Sequence, residues 1–356
     1  MPGSSPVLSL TMSHRVDLSV LELAGVATGQ TTGEALAAAT QFAAAADRVG
    51  YRRLWVAEHH NMASVASTSP PVLLAHLGAR TERIRLGSGG VMLPNHAPLA
   101  VAEQFAILEA LHPGRIDLGL GRAPGSDQRT SAILRRGTAA SGAEDEFIRD
   151  IQQLYSYLWA SRLDGDADDG PLDRDRVVAA SPVLETVPEL WILGSSLSSA
   201  YIAAAMGLPY AFANHFSGEN TLAAVALYRE RFRPSELLDA PRVLVTMSAL
   251  AAQSEAEALR LAGPSLLASA DLRRGIRRAT RTVAEAQAHD WSEQDRAFAA
   301  QRLESSAIGD VETVHTKLQA LVERTAADEL MLAIQTPDLD GRIRSLELIH
   351  RRWAQG

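Results

Sequence analysis

IRLGSGGVMLPNHAPLAVAEQFAILEALHPGRIDLGLGRAPG, residues 84–125, places two β-rich runs on either side of one long apolar-periodic stretch. Ile84–Gly89 reads as a strand, Leu99–Leu111 as a helix and Arg115–Gly121 as the next strand, with Pro113 and Gly114 as the stop between them. The same unit recurs in both directions. Towards the N-terminus, VDLSVLEL (16–23) is a strand and Thr32–Val49 a helix, capped by Thr31 or Thr32 with Glu34 in its first turn and ended by Gly50. RRLWVAEHH (52–60) then opens as a strand and spills into a loop, and Pro71–Arg80 is the helix that follows. Towards the C-terminus, strands are read at Glu189–Gly194, Tyr210–Ala213, Arg242–Ala249 and Glu329–Ile334, with a last helix at Arg342–Trp353. Strict alternation implies a parallel sheet. Eight units favour a closed (β/α)8 TIM barrel over an open doubly wound sheet, with insertions at the C-terminal mouth.

Two stretches break the rhythm, Ala123–Pro188 and Gly263–Ser306, and long segments at a barrel mouth are expected as lids. The first holds the acidic run LDGDADDG (163–170), which lacks the twelfth-position glutamate of a calcium loop and reads as solvated surface. The second holds DLRRGIRR (271–278) and AHDWSEQ (288–294), charged and mobile in character. A short N-terminal segment, 1–14, is expected to be flexible, with one barrel domain from 15 to 356. The length of 356 residues is compatible with a single barrel carrying insertions.

With 46% hydrophobic and 21% charged residues the chain can bury a large core. A net charge of -8 with interspersed signs offers no basic stripe to nucleic acid. No leader-like or membrane-spanning run is read, so a cytoplasmic protein without a membrane partner is expected. The absence of cysteine removes thiolate metal sites and a cysteine nucleophile.

Barrel chemistry sits at the carboxyl ends of strands, so those ends carry the candidates. They are Glu58-His59-His60-Asn61, Gly89-Gly90 with Asn95-His96, Gly121-Arg122, Gly194-Ser195-Ser196-Leu197-Ser198-Ser199, and Asn214-His215. His59 or His60 can act as a base near neutral pH or ligate a metal. Neighbours on an extended segment point opposite ways, so the two are not expected to share one ion, and no metal is expected. GSSLSSA opens a helix whose free amides and hydroxyls suit a phosphate, or else simply supplies an N-cap serine. Arg122 can pair with the same anion. His112 is expected to be structural. GxGxxG after the first strand, GxxxxGK[ST] and GxSxG are all missing, which leaves dinucleotide, triphosphatase and serine-hydrolase chemistry without a motif.

At GYRRLWVAEHHNM (50–62), at 84–125 and at LWILGSSLSSAYIAAAMGLPYAFANHF (190–216), the chain resembles the bacterial luciferase-like flavin-dependent monooxygenases. The resemblance implies a barrel binding FMN at its mouth and oxygenating a small organic substrate with reduced FMN and O2 through a flavin hydroperoxide. His59 matches the family's proposed base. Gly89-Gly90 matches a dipeptide with a non-prolyl cis bond against the flavin ring. Arg122, Ser195, Ser196 and Ser198 match the phosphate grip, leaving Glu58, His60, Asn95, His96, Asn214 and His215 for substrate or supporting contacts. Electrons would come from NAD(P)H directly or through a partner flavin reductase, and a homodimer is implied through first-half helices. Gly121 and Gly194 stand where luciferase has a reactive cysteine and an acidic residue, which argues against light emission. The rival readings are a deazaflavin-dependent oxidoreductase, a flavin-binding protein without turnover, and a metal-dependent barrel hydrolase.

Overall fold

The computed structural model describes residues 16–123, 125–134, 143–162, 177–216 and 218–355. The expected N-terminal segment and the acidic run 163–170 lie outside them. In chain order the elements are β1 (Asp17–Glu22), α1 (Thr32–Val49), β2 (Arg53–Val56), α2 (Pro70–Gly78), β3 (Arg85–Ser88), β4 (Val91–Met92), α3 (Pro98–Leu111) and β5 (Ile116–Gly121). Next come α4 (Gln128–Leu134), α5 (Ala143–Trp159), β6 (Glu189–Gly194), α6 (Leu197–Met206), β7 (Tyr210–Phe212), α7 (Thr221–Arg231) and β8 (Val243–Ala252). The chain ends with α8 (Glu255–Arg273), α9 (Val283–Gln287), α10 (Glu293–Glu304), β9 (Ala307–Asp310), α11 (Val311–Thr325), β10 (Glu329–Ala333) and α12 (Leu339–Gln355).

Strands β1, β2, β3, β5, β6, β7, β8 and β10 pair side by side in parallel, and β10 pairs with both β8 and β1. The sheet therefore closes on itself as a (β/α)8 barrel, and all eight expected strands are its staves. β4 is a short addition beside β5, and β9 extends the outer end of β8. Neither was read from the sequence.

Local chemistry explains the well-placed elements. Thr31 accepts the Glu34 amide while Glu34 reaches back to the Thr31 amide, a full capping box, and Gly50 closes α1 at φ 102°. The alanines of α1 at 35, 39, 43 and 46 form the face turned to the barrel. His112 follows α3, and its ring lies where a side chain on Gly78 would clash, which fits a packing role.

The two expected insertions need correction. Residues 123–188 include α5, which packs on α3 as an ordinary barrel helix, so only the flanking stretches are extra. The second does not begin at Gly263, because α8 runs unbroken through Gly263 and Pro264, both buried. A proline costs a helix one hydrogen bond, and buried packing offsets that loss here.

At the lower end of the barrel, where the strands begin, Arg53 is completely buried. Its Nε donates to Glu329 at 2.7 Å and its Nη1 to Asp117 at 2.7 Å. The Trp191 ring lies 4.9 Å from the guanidinium carbon, and the Trp55 indole N–H donates to Asp117 at 2.9 Å. Burial works against the Arg53 charge, but Asp117, Glu329 and Glu189 more than restore it and hold its pKa above the ordinary value. Replacing Arg53 with Met would leave two buried carboxylates facing no central cation. Arg53→Met should cost about 3–5 kcal/mol, read by denaturant unfolding, whereas a loss under about 1 kcal/mol would show the network to be dispensable.

Candidate functional site

Glu58 marks the opposite end of the barrel, just past β2, and is fully buried. His60 Nε2 and His96 Nε2 each lie 2.8 Å from its Oε1, and the Met92 amide donates to Oε2 at 3.0 Å. Burial acts to raise this carboxyl, but the bonds from His96, His60 and Met92 outweigh it and hold the pKa below the usual range. An ionised Glu58 thus ties the loop after β2 to the turn Leu93–Asn95. These three side chains form the one His/acid group among the described residues whose ligand atoms lie within 4.8 Å of one another. The histidine that joins His60 is therefore His96, and the adjacent His59 turns elsewhere. Each contact is already a complete hydrogen bond.

His59 is half-buried, with its amide donating to Ser67 at 3.0 Å. Burial lowers its pKa, opposed by a hydrogen bond with the Gly125 backbone and by Glu58. The imidazole is neutral at physiological pH and can accept a proton. His215, past β7, lies close enough to His59 that a proton on one disfavours a proton on the other, and it shares a 2.5 Å hydrogen bond through Nδ1 with Thr246 of β8. Burial first, then Arg302 and His59, push His215 down to about 4. Arg302 of α10 donates to the His215 carbonyl at 2.9 Å. Asn214 accepts from Thr221 at 2.8 Å and so anchors the start of α7 rather than opening onto the site.

Two glycines, Gly89 and Gly90, join β3 to β4. The Gly89–Gly90 peptide bond is cis, the geometry the resemblance implied. A Cβ on Gly90 would come 2.8 Å from the Gly119 carbonyl oxygen, and one on Gly89 would come 2.9 Å from Leu21 Cδ1 and 3.0 Å from Trp55 Cβ. Both positions therefore exclude a side chain, because Leu21, Trp55 and the Gly119 carbonyl already fill the space it would need.

The residues expected to hold an anion lie at the ends of β5 and β6. Arg122 Nη1 and Ser198 Oγ reach the same oxygen, Oε2 of Glu144 on α5, at 3.0 and 2.8 Å. Ser196 is spent as the N-cap of α6, accepting weakly from the Ser199 amide at 3.4 Å, while Ser199 turns inward to Tyr210. Ser195 is half-buried beside them, with no side-chain hydrogen bond among the described residues. A Cβ on Gly194 would fall 2.1 Å from Ser199 Oγ, so glycine is what lets β6 pass under the helix start.

The segment after α8, in the second expected insertion, is tied to the loop after β1. The Thr280 amide donates to Val26 at 2.9 Å, and the Thr28 amide donates to Thr280 at 2.8 Å. Arg277 meets Asp127 at 2.5 Å, and Asp127 also accepts from Asn61 and Thr130. Glu22, Asp127, Glu144, Thr246 and Arg302 were not singled out from sequence. Glu22 carried a signal, since it ends the first apolar strand, whereas Glu144 and Arg302 sit in helices with no local mark.

Residues 16–329 match the family model described as luciferase-like monooxygenase, and the chain belongs to that family. A protein named luciferase-like monooxygenase from Escherichia coli K12 is 42% identical over 333 residues, covering 94% of this chain and 96% of that one. The crystal structure of apo-MsnO8 superposes with a TM-score of 0.82 at 33% identity, covering 96% and 99%. The oxygenating constituent of a 3,6-diketocamphane monooxygenase of Pseudomonas putida, solved with FMN, has a TM-score of 0.68 at 19% identity, covering 95% and 97%. This family makes the chain an oxygenase, and its fold is shared by monooxygenases and by F420-dependent enzymes such as a secondary alcohol dehydrogenase.

His215 supplies a pH test. An unfolded histidine takes up a proton as pH falls through about 6.5, while folded His215 resists down to about 4. The folded state must therefore lose stability between those values, by roughly 2 kcal/mol once partial solvation is discounted. Unfolding titrations at pH 7, 5.5 and 4.5 should show this slope, and His215→Gln should flatten it. An equal slope in the variant would assign the effect to other groups.

Proposed function

We propose that this protein is an FMN-dependent monooxygenase, with Arg122 and the serine-rich start of α6 holding the FMN phosphate. The observation that carries the reading is the convergence of Arg122 and Ser198 on one carboxylate oxygen of Glu144. A guanidinium and a hydroxyl from two strand ends already grip an anion there, beside a helix N-terminus. Glu144 is half-exposed and the pair is worth no more than about 1 kcal/mol, so a phosphate can displace it. The side-chain-free Gly89–Gly90 stretch past β3 supports a flat ring beside that seat. The diketocamphane enzyme, which shares this fold, was solved with FMN, and that supports FMN as the choice of cofactor.

Reduced FMN, when bound, supplies the electrons with which O2 is activated; these come from NAD(P)H, directly or through a reductase. Neutral His59 takes or returns a proton at the substrate. Glu58 fixes His60 and His96, and so the shape of the wall beside His59. Thr280 and Arg277 hold the insertion over the mouth and keep water out.

FMN titration should show that Arg122→Ala loses at least about tenfold more affinity for FMN than for riboflavin, the cost of a charged hydrogen bond. Glu144→Gln should tighten FMN by up to about fivefold, because it removes the competing carboxylate. Equal losses for both flavins, or no FMN binding by the parent protein, would overturn the assignment. His59→Ala should keep FMN affinity and lose about 100-fold in oxygen-consuming turnover with reduced FMN. Unchanged turnover would remove His59 from the chemistry.

The homodimer reading draws support from Val72 of α2 and from Ile107 and Leu111 of α3, which are 72%, 52% and 59% exposed on first-half helices. Light scattering should give twice the chain mass, and Leu111→Arg should halve it. A parent protein of single-chain mass would end this reading.

A further inference from the structure

A cavity of about 200 Å³ opens between the ends of β1 and β10 and the stretch joining α8 to α9. Its body is apolar, formed by Leu21, Leu23, Val26, Ala268, Leu272 and Ile334. Leu21 is the residue whose Cδ1 also lies against Gly89, so the cavity shares a wall with the Gly89–Gly90 stretch.

The charges on its lining do not balance. Glu22 and Arg342 are bonded to each other, and Arg277 is bonded to Asp127. Asp271 is buried and takes Arg281 at 2.5 Å, while Arg274 leans on both Asp271 and Asp295. Glu285, a further carboxylate near Arg281, does not line the cavity and caps α9 at the Thr282 amide. Once these pairs are made, Arg278 is the cation left over. Its Nε stands 3.4 Å from an Asp271 oxygen that Arg281 already occupies, and among the described residues no other acceptor meets its guanidinium. The side chain is 51% exposed, on a lining that is otherwise mostly apolar.

We propose that this cavity binds the substrate of the oxygenation as a small organic acid, with its hydrocarbon part against the apolar wall and its single negative group on Arg278. The inference rests on the monooxygenase reading and adds a substrate class to it. A guanidinium fork matches a carboxylate, or another planar or tetrahedral monoanion, by two parallel hydrogen bonds. A mostly apolar pocket whose other lining charges are paired, with one cation in excess, fits ligands that join an apolar body to one anionic group. One surplus cation matches one anionic group. The apolar body places the carbon or sulfur to be oxygenated towards Leu21 and the Gly89–Gly90 stretch.

Calorimetry on the intact protein tests this with hexanoate and its neutral counterpart hexanamide. Hexanoate should bind at least tenfold more tightly, both without FMN and with FMN added. Arg278→Gln should bring hexanoate to the level of hexanamide and leave FMN affinity unchanged. Arg278 is half-exposed, so this variant keeps the fold, and an unchanged unfolding midpoint checks it. Equal affinities in the parent protein, no binding of either probe, or a preference that survives in Arg278→Gln would each overturn the proposal. Displacement of FMN by hexanoate would also overturn it, since the arginine would then belong to the phosphate seat. FMN titration of the same samples reads the cofactor assignment separately, so either assignment can fail without the other.

Discussion

A guanidinium with no access to water cannot remain in a protein interior unless opposite charge and hydrogen bonds surround it, and Arg53 imposes that requirement on this barrel. Asp117 comes from β5, Glu329 from β10, Ser19 from β1 and the Trp191 ring from β6, so strands far apart in sequence must assemble at one level. Closing the sheet satisfies the charge, and satisfying the charge fixes how the strands are staggered. Their other ends then meet in one plane at the mouth, which is where a barrel holds its chemistry.

The two ends use carboxylates differently. At the lower end Asp117 and Glu329 are consumed by arginine and have nothing left to offer. At the mouth Glu58 is equally buried but spends its charge on two histidines and an amide, which positions neutral or protonatable groups instead of quenching them. Glu58 acts on His59 only at a distance and His215 meets no carboxylate among the described residues, so burial is the first cause that lowers both. The same physical cost, desolvation of charge, makes one end rigid and the other reactive.

Across the mouth the candidate groups are spatially divided. Arg122, Ser198 and Glu144 meet at the ends of β5 and β6, Gly89–Gly90 follows β3, and the cavity with Arg278 lies at β1 and β10. The insertion that carries Arg278 is stitched to the β1 loop by Thr280 and to the β5 side by Arg277 and Asp127. The proposed cofactor seat and the cavity draw on different strand ends, with Leu21 as the residue between the cavity and Gly89.

The sequence by itself determined the eight strands, helix α1 with its Glu34 capping box, and the rule that strand ends carry the chemistry, because periodicity, caps and strand termini are local properties. That was enough to single out Glu58, His59, His96, Arg122, Ser198 and His215. It did not show that His96 rather than His59 joins His60, that α5 is a barrel helix, or that α8 passes through Pro264. Nor could it show which charges meet. Arg53 finds Glu329 across 276 positions, Arg122 shares Glu144 with Ser198, and Arg278 is left over because Arg281 takes Asp271 first. Only the tertiary structure decided those pairings, because the energy of a charge depends on what closure of the barrel brings within about 4 Å of it and on how much water closure removes.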